Sequence, residues 1–426
     1  MKKYKHAAII PLIGGLPIGV EKELGTPPEY ILSYPAFGFN DGLLLRHYEN
    51  KGLDIPYITI DAETNELIDA NNGERLTDVD IVSSTCPCAG LSMLNASNGK
   101  SASSRGSDAA QNEWMYKSTE FVLGTVKPKV MFGENAPGFF TKLGAGVRER
   151  LRLIAEKHNY SYSVIKTSTK LHGIPQNRTR SFYFFWKSDA SPILGYYDRE
   201  RKSLIEYLND IPDTASLRDL YSNELSPTDA FPTFEFLIER SGLSYTDFLK
   251  KTGGKKFSTV ETILEEELYD EFCQWFSKKG YDTLDEKDRK RRIKAKIDRI
   301  WDKVKVRQAG GYWDESPQFN GDCMNALISK SVASFINPNE NRYLNVREML
   351  HLMGFPHDFE IKGKSEIHAI TQNVPVNTAA DWTHEVVKFL NGELPLSNTR
   401  YLMQDNCAQK IVLGDVEPAI KSKKLF

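Results

Sequence analysis

The sequence predicts an α/β architecture, a mostly parallel sheet with helices on both faces, followed by an irregular insert. Two observations carry this: short β-like runs alternate with helical patterns up to residue 187, and the alternation then stops. The predicted strands are His6 to Leu12, Tyr30 to Tyr34, Tyr57 to Asp61, Asp80 to Ser84, Val130 to Gly133, Tyr162 to Lys166 and Arg180 to Trp186. Each is a short run dominated by apolar, β-branched or aromatic residues. Gly19 to Leu24, Leu43 to Asn50, Asn112 to Leu123 and Val147 to His158 read as the intervening helices. From Lys187 to about Asn341 the pattern is irregular, with an acidic helix at Val260 to Asp270 and a basic one at Lys287 to Arg307. Asp381 to Leu390 reads as a closing helix. The expected organisation is therefore a first α/β domain over residues 1–187, an inserted domain over 188–365, and a segment over 366–426 that returns to the first. There is no internal repeat, and the only low-complexity tract is Asn95 to Ala110.

A chain of 426 residues is long enough for two or three domains and a large core. Its 11% aromatic and 26% charged residues are those of a folded protein and exclude a disordered or membrane-spanning chain. Apolar stretches such as Ala7 to Gly19 contain Pro and Gly and fall short of the ~18 to 20 residues that a bilayer span needs. The basic start Met1-Lys2-Lys3-Tyr4-Lys5-His6 is not followed by a small-residue cleavage site, so no signal peptide is expected. Five cysteines, at 86, 88, 273, 323 and 407, are an odd set and suit a reducing, cytoplasmic compartment. Cys86 and Cys88 lack a second pair or a nearby His, so no metal site is expected. The net charge of −2 confines any nucleic-acid contact to local patches.

Four short motifs follow one another in the chain. They are Ser84-Thr85-Cys86-Pro87-Cys88-Ala89-Gly90-Leu91-Ser92, Gly133-Glu134-Asn135-Ala136-Pro137-Gly138, Gly173-Ile174-Pro175-Gln176-Asn177-Arg178-Thr179-Arg180, and Arg342-Tyr343-Leu344-Asn345-Val346-Arg347-Glu348 with Gly354-Phe355-Pro356. In that order they resemble the DNA cytosine-5 methyltransferase family of phage and bacterial type, whose pattern reads Pro-Cys, Glu-Asn, Gln-x-Arg-x-Arg and Arg-x-Leu-x-x-Arg-Glu with Gly-Phe-Pro. The resemblance implies a Rossmann-like class I methyltransferase fold with an inserted target-recognition domain. It also implies S-adenosylmethionine as methyl donor, double-stranded DNA as partner, and a role in restriction-modification, phage protection or regulation in a bacterial or phage-infected cell. A monomer is expected.

The residues suit that chemistry. C5 of cytosine is a poor nucleophile, and addition of a thiolate at C6 turns it into an enamine-like carbon. Cys88 follows a predicted strand at the carboxyl edge of the sheet, where ligands of such folds bind, and the site is expected to favour its thiolate. Addition pushes electron density towards N3 and O2, so Glu134 is expected to pair with N3 in a dry pocket. Gln176, Arg178 and Arg180 alternate, which on an extended segment places them on one face, with the two arginines on cytosine O2 and a flanking phosphate. A bland reading of each exists: a packing cysteine, a surface Glu, a solvated edge strand.

Following Cys88, the polar tract Ser92 to Asn112, with Arg105 inside it, resembles the family's mobile catalytic loop, which closes over DNA once a base has flipped out. Leu12, Ile13, Gly14 and Gly15 form a glycine turn after the first strand, suited to a nucleotide-type ligand. Tyr34 and Pro87 are expected to line the donor site and Asp61 to meet the adenine amino group. The acidic residue that the family places at the end of the second strand is absent, Ser33-Tyr34-Pro35 standing there, and Asp41 is the candidate substitute on the ribose. The family's Gly-Asn-x-Val-Pro is altered to Gln372-Asn373-Val374-Pro375, with Asn373 beside the donor. Lys290, Arg291 and Lys294 in the basic helix are candidates for phosphate contact, with Ser92 and Gln176 also facing DNA. The same motifs admit an RNA cytosine as substrate, a modified donor, or a catalytically silent DNA-binding homologue.

Overall fold

Every strand expected from the sequence is present. The computed structural model describes residues 4–92, 106–217, 236, 239–243, 268–280, 322–328, 335, 337, 340, 342–362 and 366–414. In it β1 (His6–Ile9), β2 (Ile31–Ser33), β3 (Tyr57–Thr59), β4 (Ile81–Ser84), β5 (Val130–Asn135), β6 (Ser161–Ser168) and β7 (Thr179–Trp186) join β8 (Tyr401–Asp405) and β9 (Lys410–Leu413) in one sheet. The lateral order is β9-β8-β6-β7-β5-β4-β1-β2-β3. β7 runs antiparallel to β5 and β6, β9 runs antiparallel to β8, and the other neighbours are parallel. This is an α/β methyltransferase architecture.

β1, β2, β4 and β5 are buried along their whole length. That is why they read as continuous apolar runs rather than as alternating ones. On one face α1 (Gly15–Leu24) and α5 (Val376–Leu390) bury Leu16, Val20, Ala379, Trp382 and Val386 against Ile81, Phe132, Phe182, Phe184 and Trp186. On the other, α3 (Glu113–Phe121) and α4 (Ala145–Lys157) bury Met115, Phe121, Val147 and Leu151 against Val82, Met131, Tyr183 and Phe185. The topology puts the carboxyl ends of β1, β2, β4 and β5 and the amino end of β7 on one edge.

The element ends differ from the sequence reading for local reasons. β1 stops at Ile9, not Leu12, because Ile10 and Leu12 take left-handed backbone (φ 49° and 54°) to turn the chain into α1. α1 and α2 (Gly38–Asn50) start at glycines, four and five residues before their apolar periodicity becomes visible. The β8–β9 hairpin was not expected, since its two strands are short and β9 is largely exposed.

By contacts the chain divides into two units, residues 1–216 with 349–426, and residues 217–348. These lines fall at 216/217 and 348/349, where the sequence reading drew them at 187/188 and 365/366. Within the second unit, Phe236, Phe272 and Trp275 pack ring against ring on the helix Tyr269–Lys278. The motif at 342–348 also explains itself there. Glu348 N donates to Asn345 Oδ1 (2.9 Å) and Asn345 N donates to Glu348 Oε2 (2.8 Å), a reciprocal helix cap, while Arg342 Nη2 holds Glu348 Oε1 at 2.7 Å. The basic helix at 287–307, with Lys290, Arg291 and Lys294, and all but the last three residues of the acidic helix at 260–270 lie outside the described residues.

α1 meets α5 at Gly19, where a Cβ would stand 2.4 Å from Ala379 Cβ and 2.7 Å from Val376 O. Gly19→Ala therefore lowers stability by about 2 kcal/mol in urea titration, overpacking outweighing the roughly 1 kcal/mol that Ala gains in helix propensity. A variant as stable as the parent would contradict this packing.

Candidate active site

Beyond β4 the chain passes through buried Thr85 and Cys86 and half-buried Pro87 to Cys88, whose φ and ψ of −103° and 2° begin a short turn over Ala89–Leu91. The thiol is half-buried. Alongside, Ser84 pairs with Gly133, which sets the end of β5 beside the Cys88 turn. Glu134 is buried, at 4% exposure. It stands opposite Phe182 of β7, so Arg180, two residues along that strand, lies diagonally across the same face, and Arg180 Nε meets Glu134 Oε1 at 2.7 Å.

The Pro137–Phe140 turn is pressed against the Cys88 turn. A Cβ at Gly138 would lie 2.2 Å from Leu91 O, so the glycine in Glu134-Asn135-Ala136-Pro137-Gly138 allows two backbones to touch. Arg148 of α4 fixes that turn from behind, donating to Phe139 O and, at 2.8 Å, to Thr141 O. Ser92 is half-buried at the end of the Cys88 turn. Residues 93–105, including Arg105, lie outside the described residues, and Gly106 N donates to Gly90 O at 2.8 Å, joining the two sides of that segment.

Electrostatically the site is a buried carboxyl and a thiol facing two guanidinium groups. Burial pushes the Glu134 carboxyl above its ordinary range, with Arg180 and Arg178 pulling it back. Burial and then Glu134 push the Cys88 thiol up, and Arg180 and Arg178 oppose them without prevailing. That direction runs against the thiolate that the sequence led one to expect. Arg178 is lowered to about 9 by burial and by Arg180, and stays cationic at neutral pH.

The three alternating residues do not share a face. Arg178 N donates to Gln176 O at 3.0 Å, a tight turn that separates the short strand Gln176–Asn177 from β7 and breaks the alternation. Gln176 is fully buried, its Nε2 donating to Leu352 O at 2.8 Å. Arg178 is buried too, with Nη2 donating to Thr371 O (2.7 Å) and Asn373 O (2.9 Å). Both side chains donate to backbone carbonyls of the protein, Arg178 while still within electrostatic reach of Glu134 and Cys88, and Arg180 pairs directly with Glu134.

Residues 47–388 match the family model of the C-5 cytosine-specific DNA methylases, most of the chain. The chain belongs to that family. Among solved structures the methylase resembles one described as a DNA modification methyltransferase encoded within an E. coli prophage. That pair has 16% identity and a TM-score of 0.53, over 91% of this chain and 99% of that one. A methyltransferase of Entamoeba histolytica is similar at 13% identity and a TM-score of 0.52, over 92% and 99%. At such identities the likeness concerns the fold. No curated protein matches.

A C-5 cytosine methylase takes its methyl group from S-adenosylmethionine, and the residues after β1 and β2 fit such a group. Leu12 and buried Ile13 lead into Gly14, whose φ of 100° opens the turn before α1. Gly15 N donates to Asn373 Oδ1 at 2.7 Å. Asp41 is fully buried on α2, accepts from Tyr57 OH at 3.0 Å, and keeps Oδ1 without a hydrogen-bond partner, an acceptor suited to a hydroxyl. Tyr34 is buried, with its OH on Asn65 Oδ1 at 2.7 Å and its ring 5.2 Å from that of Trp114. Asp61 caps a local turn through Oδ1, which accepts from Glu63 N and Thr64 N at 2.8 Å each, and those bonds hold its carboxyl below the usual range.

Sequence reasoning missed Phe37 and Trp114, which pack edge to face at 4.9 Å beside Tyr34. They are far apart in the chain and no pattern links them. It also missed Gly138 and Arg148, although the glycine stood within a motif already singled out.

Burial raises the Asp41 carboxyl to about 6, with Ser33, Tyr57 and the Leu12 amide opposing. A raised carboxyl favours folding while protonated and loses that advantage as pH climbs from its unfolded value through 6. Asp41→Asn is therefore expected to match the parent near pH 4 and to exceed it by about 2 kcal/mol at pH 8. Chemical denaturation at the two pH values checks this, and a difference independent of pH would contradict it.

Proposed function

We propose that this methylase acts on cytosine in double-stranded DNA through a covalent adduct between Cys88 and C6 of a flipped-out base. The observation that carries the reading is the meeting of Cys88, Glu134 and Arg180 at the carboxyl edge of the sheet. The half-buried thiol lies beside a buried acid that is itself paired with a cation. A stacked base cannot be reached at its face, so attack requires extrusion, which costs a few kcal/mol.

As Cys88 Sγ bonds to C6, the thiol proton passes to water and the C5–C6 π electrons move towards N3 and O2. Glu134 holds a proton at N3, stabilising that charge, and its raised carboxyl suits the task. Arg180 keeps Glu134 oriented and supplies positive charge at O2. S-adenosylmethionine, when bound, supplies an electrophilic methyl group to C5. A base then removes the C5 proton and the Cys88–C6 bond breaks by β-elimination, expelling the thiolate; the proton at N3 returns to Glu134, which restores the aromatic ring, and the thiolate takes a proton from water.

For the donor, Leu12 to Gly15 would receive the amino-acid portion, Asp41 Oδ1 a ribose hydroxyl and Asp61 the adenine amino group, with Tyr34, Phe37, Pro87 and Trp114 around them. Asn373 fixes the turn from the side. Residues 217–348 would read the target, with Lys290, Arg291, Lys294, Ser92 and Arg105 as phosphate contacts. The protein acts as a monomer in a bacterial or phage-infected cytoplasm.

Duplex DNA carrying 5-fluorocytosine tests this, because fluorine at C5 blocks the elimination. The parent enzyme is expected to form a denaturation-resistant adduct whose mass maps to Cys88. Cys88→Ala forms none, and Glu134→Gln slows trapping at least 100-fold. An adduct that persists in Cys88→Ala, or that forms on RNA in preference to DNA, would overturn the reading.

A further inference from the structure

Arg178 and Asn373 lie between the two halves of the site. The Arg178 guanidinium shares its electrostatic environment with Cys88, Glu134 and Arg180, yet its Nη2 grips the backbone carbonyls of Thr371 and Asn373. The Asn373 side chain, fully buried, turns the other way: Oδ1 accepts from Gly15 N, the first residue of α1 after the glycine turn, and from Val374 N at 3.1 Å. One residue therefore carries a backbone contact to the thiol site and a side-chain contact to the donor turn. The path from guanidinium to turn is two hydrogen bonds long, and its members are buried, so solvent does not weaken it.

Both substrates must meet with reacting atoms within a few tenths of an ångström, and a 1 Å error costs on the order of 100-fold in rate. The pairing of β1 with β4, Ile9 opposite Ser84, starts the glycine turn and the Cys88 turn from neighbouring strand ends. The Arg178–Asn373 link ties the glycine turn to the thiol site a second time, beyond the strands. We infer that Asn373 is a positioning residue which, gripped by Arg178, registers the donor turn against the thiol, so that donor binding and attack on the base are coupled through it. The inference rests on the proposed reading that the donor lies at Gly14–Gly15 and the base at Cys88.

Two readouts, one from each half, test it on the full chain. Donor affinity is measured by calorimetry without DNA. Attack on the base is followed by release of tritium from C5 of duplex DNA without donor. Arg178→Lys keeps the charge but loses the two-carbonyl grip. It is expected to weaken donor binding at least 10-fold, although residue 178 is on the thiol side. Asn373→Ala is expected to weaken donor binding and slow tritium release by similar factors. Asn373→Asp, which keeps an oxygen for Gly15 N, restores tritium release to within about threefold. The double variant Arg178→Lys with Asn373→Ala binds donor no more weakly than Asn373→Ala alone, because the two act through one link.

Donor affinity within twofold of the parent in Arg178→Lys overturns the inference, and so do additive losses in the double variant. If Arg178→Lys does not fold, the Asn373 pair decides: a loss in donor binding alone, with tritium release unchanged in Asn373→Ala, refutes coupling. A parent enzyme that neither binds donor nor releases tritium instead refutes the proposed function itself.

Discussion

The site depends on one constraint: a buried carboxyl beside a half-buried thiol at the edge of a sheet, with two guanidinium groups as the nearby counter-charge among the described residues. Taking Glu134 out of water is costly, and the ion pair with Arg180 at 2.7 Å is what makes it tolerable. The same two arginines act on Cys88, but burial and then the neighbouring carboxyl outweigh them and push the thiol up. A resting thiol of this kind resists oxidation and stray alkylation. In the proposed mechanism its nucleophile is made only when a pyrimidine ring arrives to accept both the sulfur and, at N3, a hydrogen bond.

The fold serves that constraint through strand direction. β4 and β5 are parallel and end side by side, while β7 is antiparallel and begins where they end. Three consecutive positions across the sheet thus deliver a turn with Cys88, a strand end with Glu134 and a strand start with Arg180. The packing of Gly138 on Leu91 O then presses the first two together. On the opposite face, the close approach of α1 and α5 at Gly19 places Asn373, just before α5, next to the first residue of α1.

Much of this was legible in the residues themselves. Strands β1, β2, β4 and β5 are buried along their whole length, so each announced itself as an apolar run, and Cys88 and Glu134 stood at strand ends within recognisable motifs. What was not legible is tertiary. The alternation of Gln176, Arg178 and Arg180 implied one face, but a tight turn at Arg178 divided the segment and sent two of the three side chains inward. The protonation of Cys88 could not be read either, because it depends on how deeply Glu134 is buried beside it. Phe37 and Trp114 meet only once α3 packs across the sheet edge, and the β8–β9 hairpin carries too short a pattern to be seen.

The most direct measurement of the central claim is the rate at which Cys88 is alkylated by iodoacetamide as a function of pH, read by mass spectrometry of the peptide. The parent is expected to react with a midpoint above the ~8.5 of a free cysteine, and Glu134→Gln to shift that midpoint downward, since removing the neighbouring carboxylate favours the thiolate. A parent midpoint near or below 7, or one that Glu134→Gln leaves unmoved, would contradict the account.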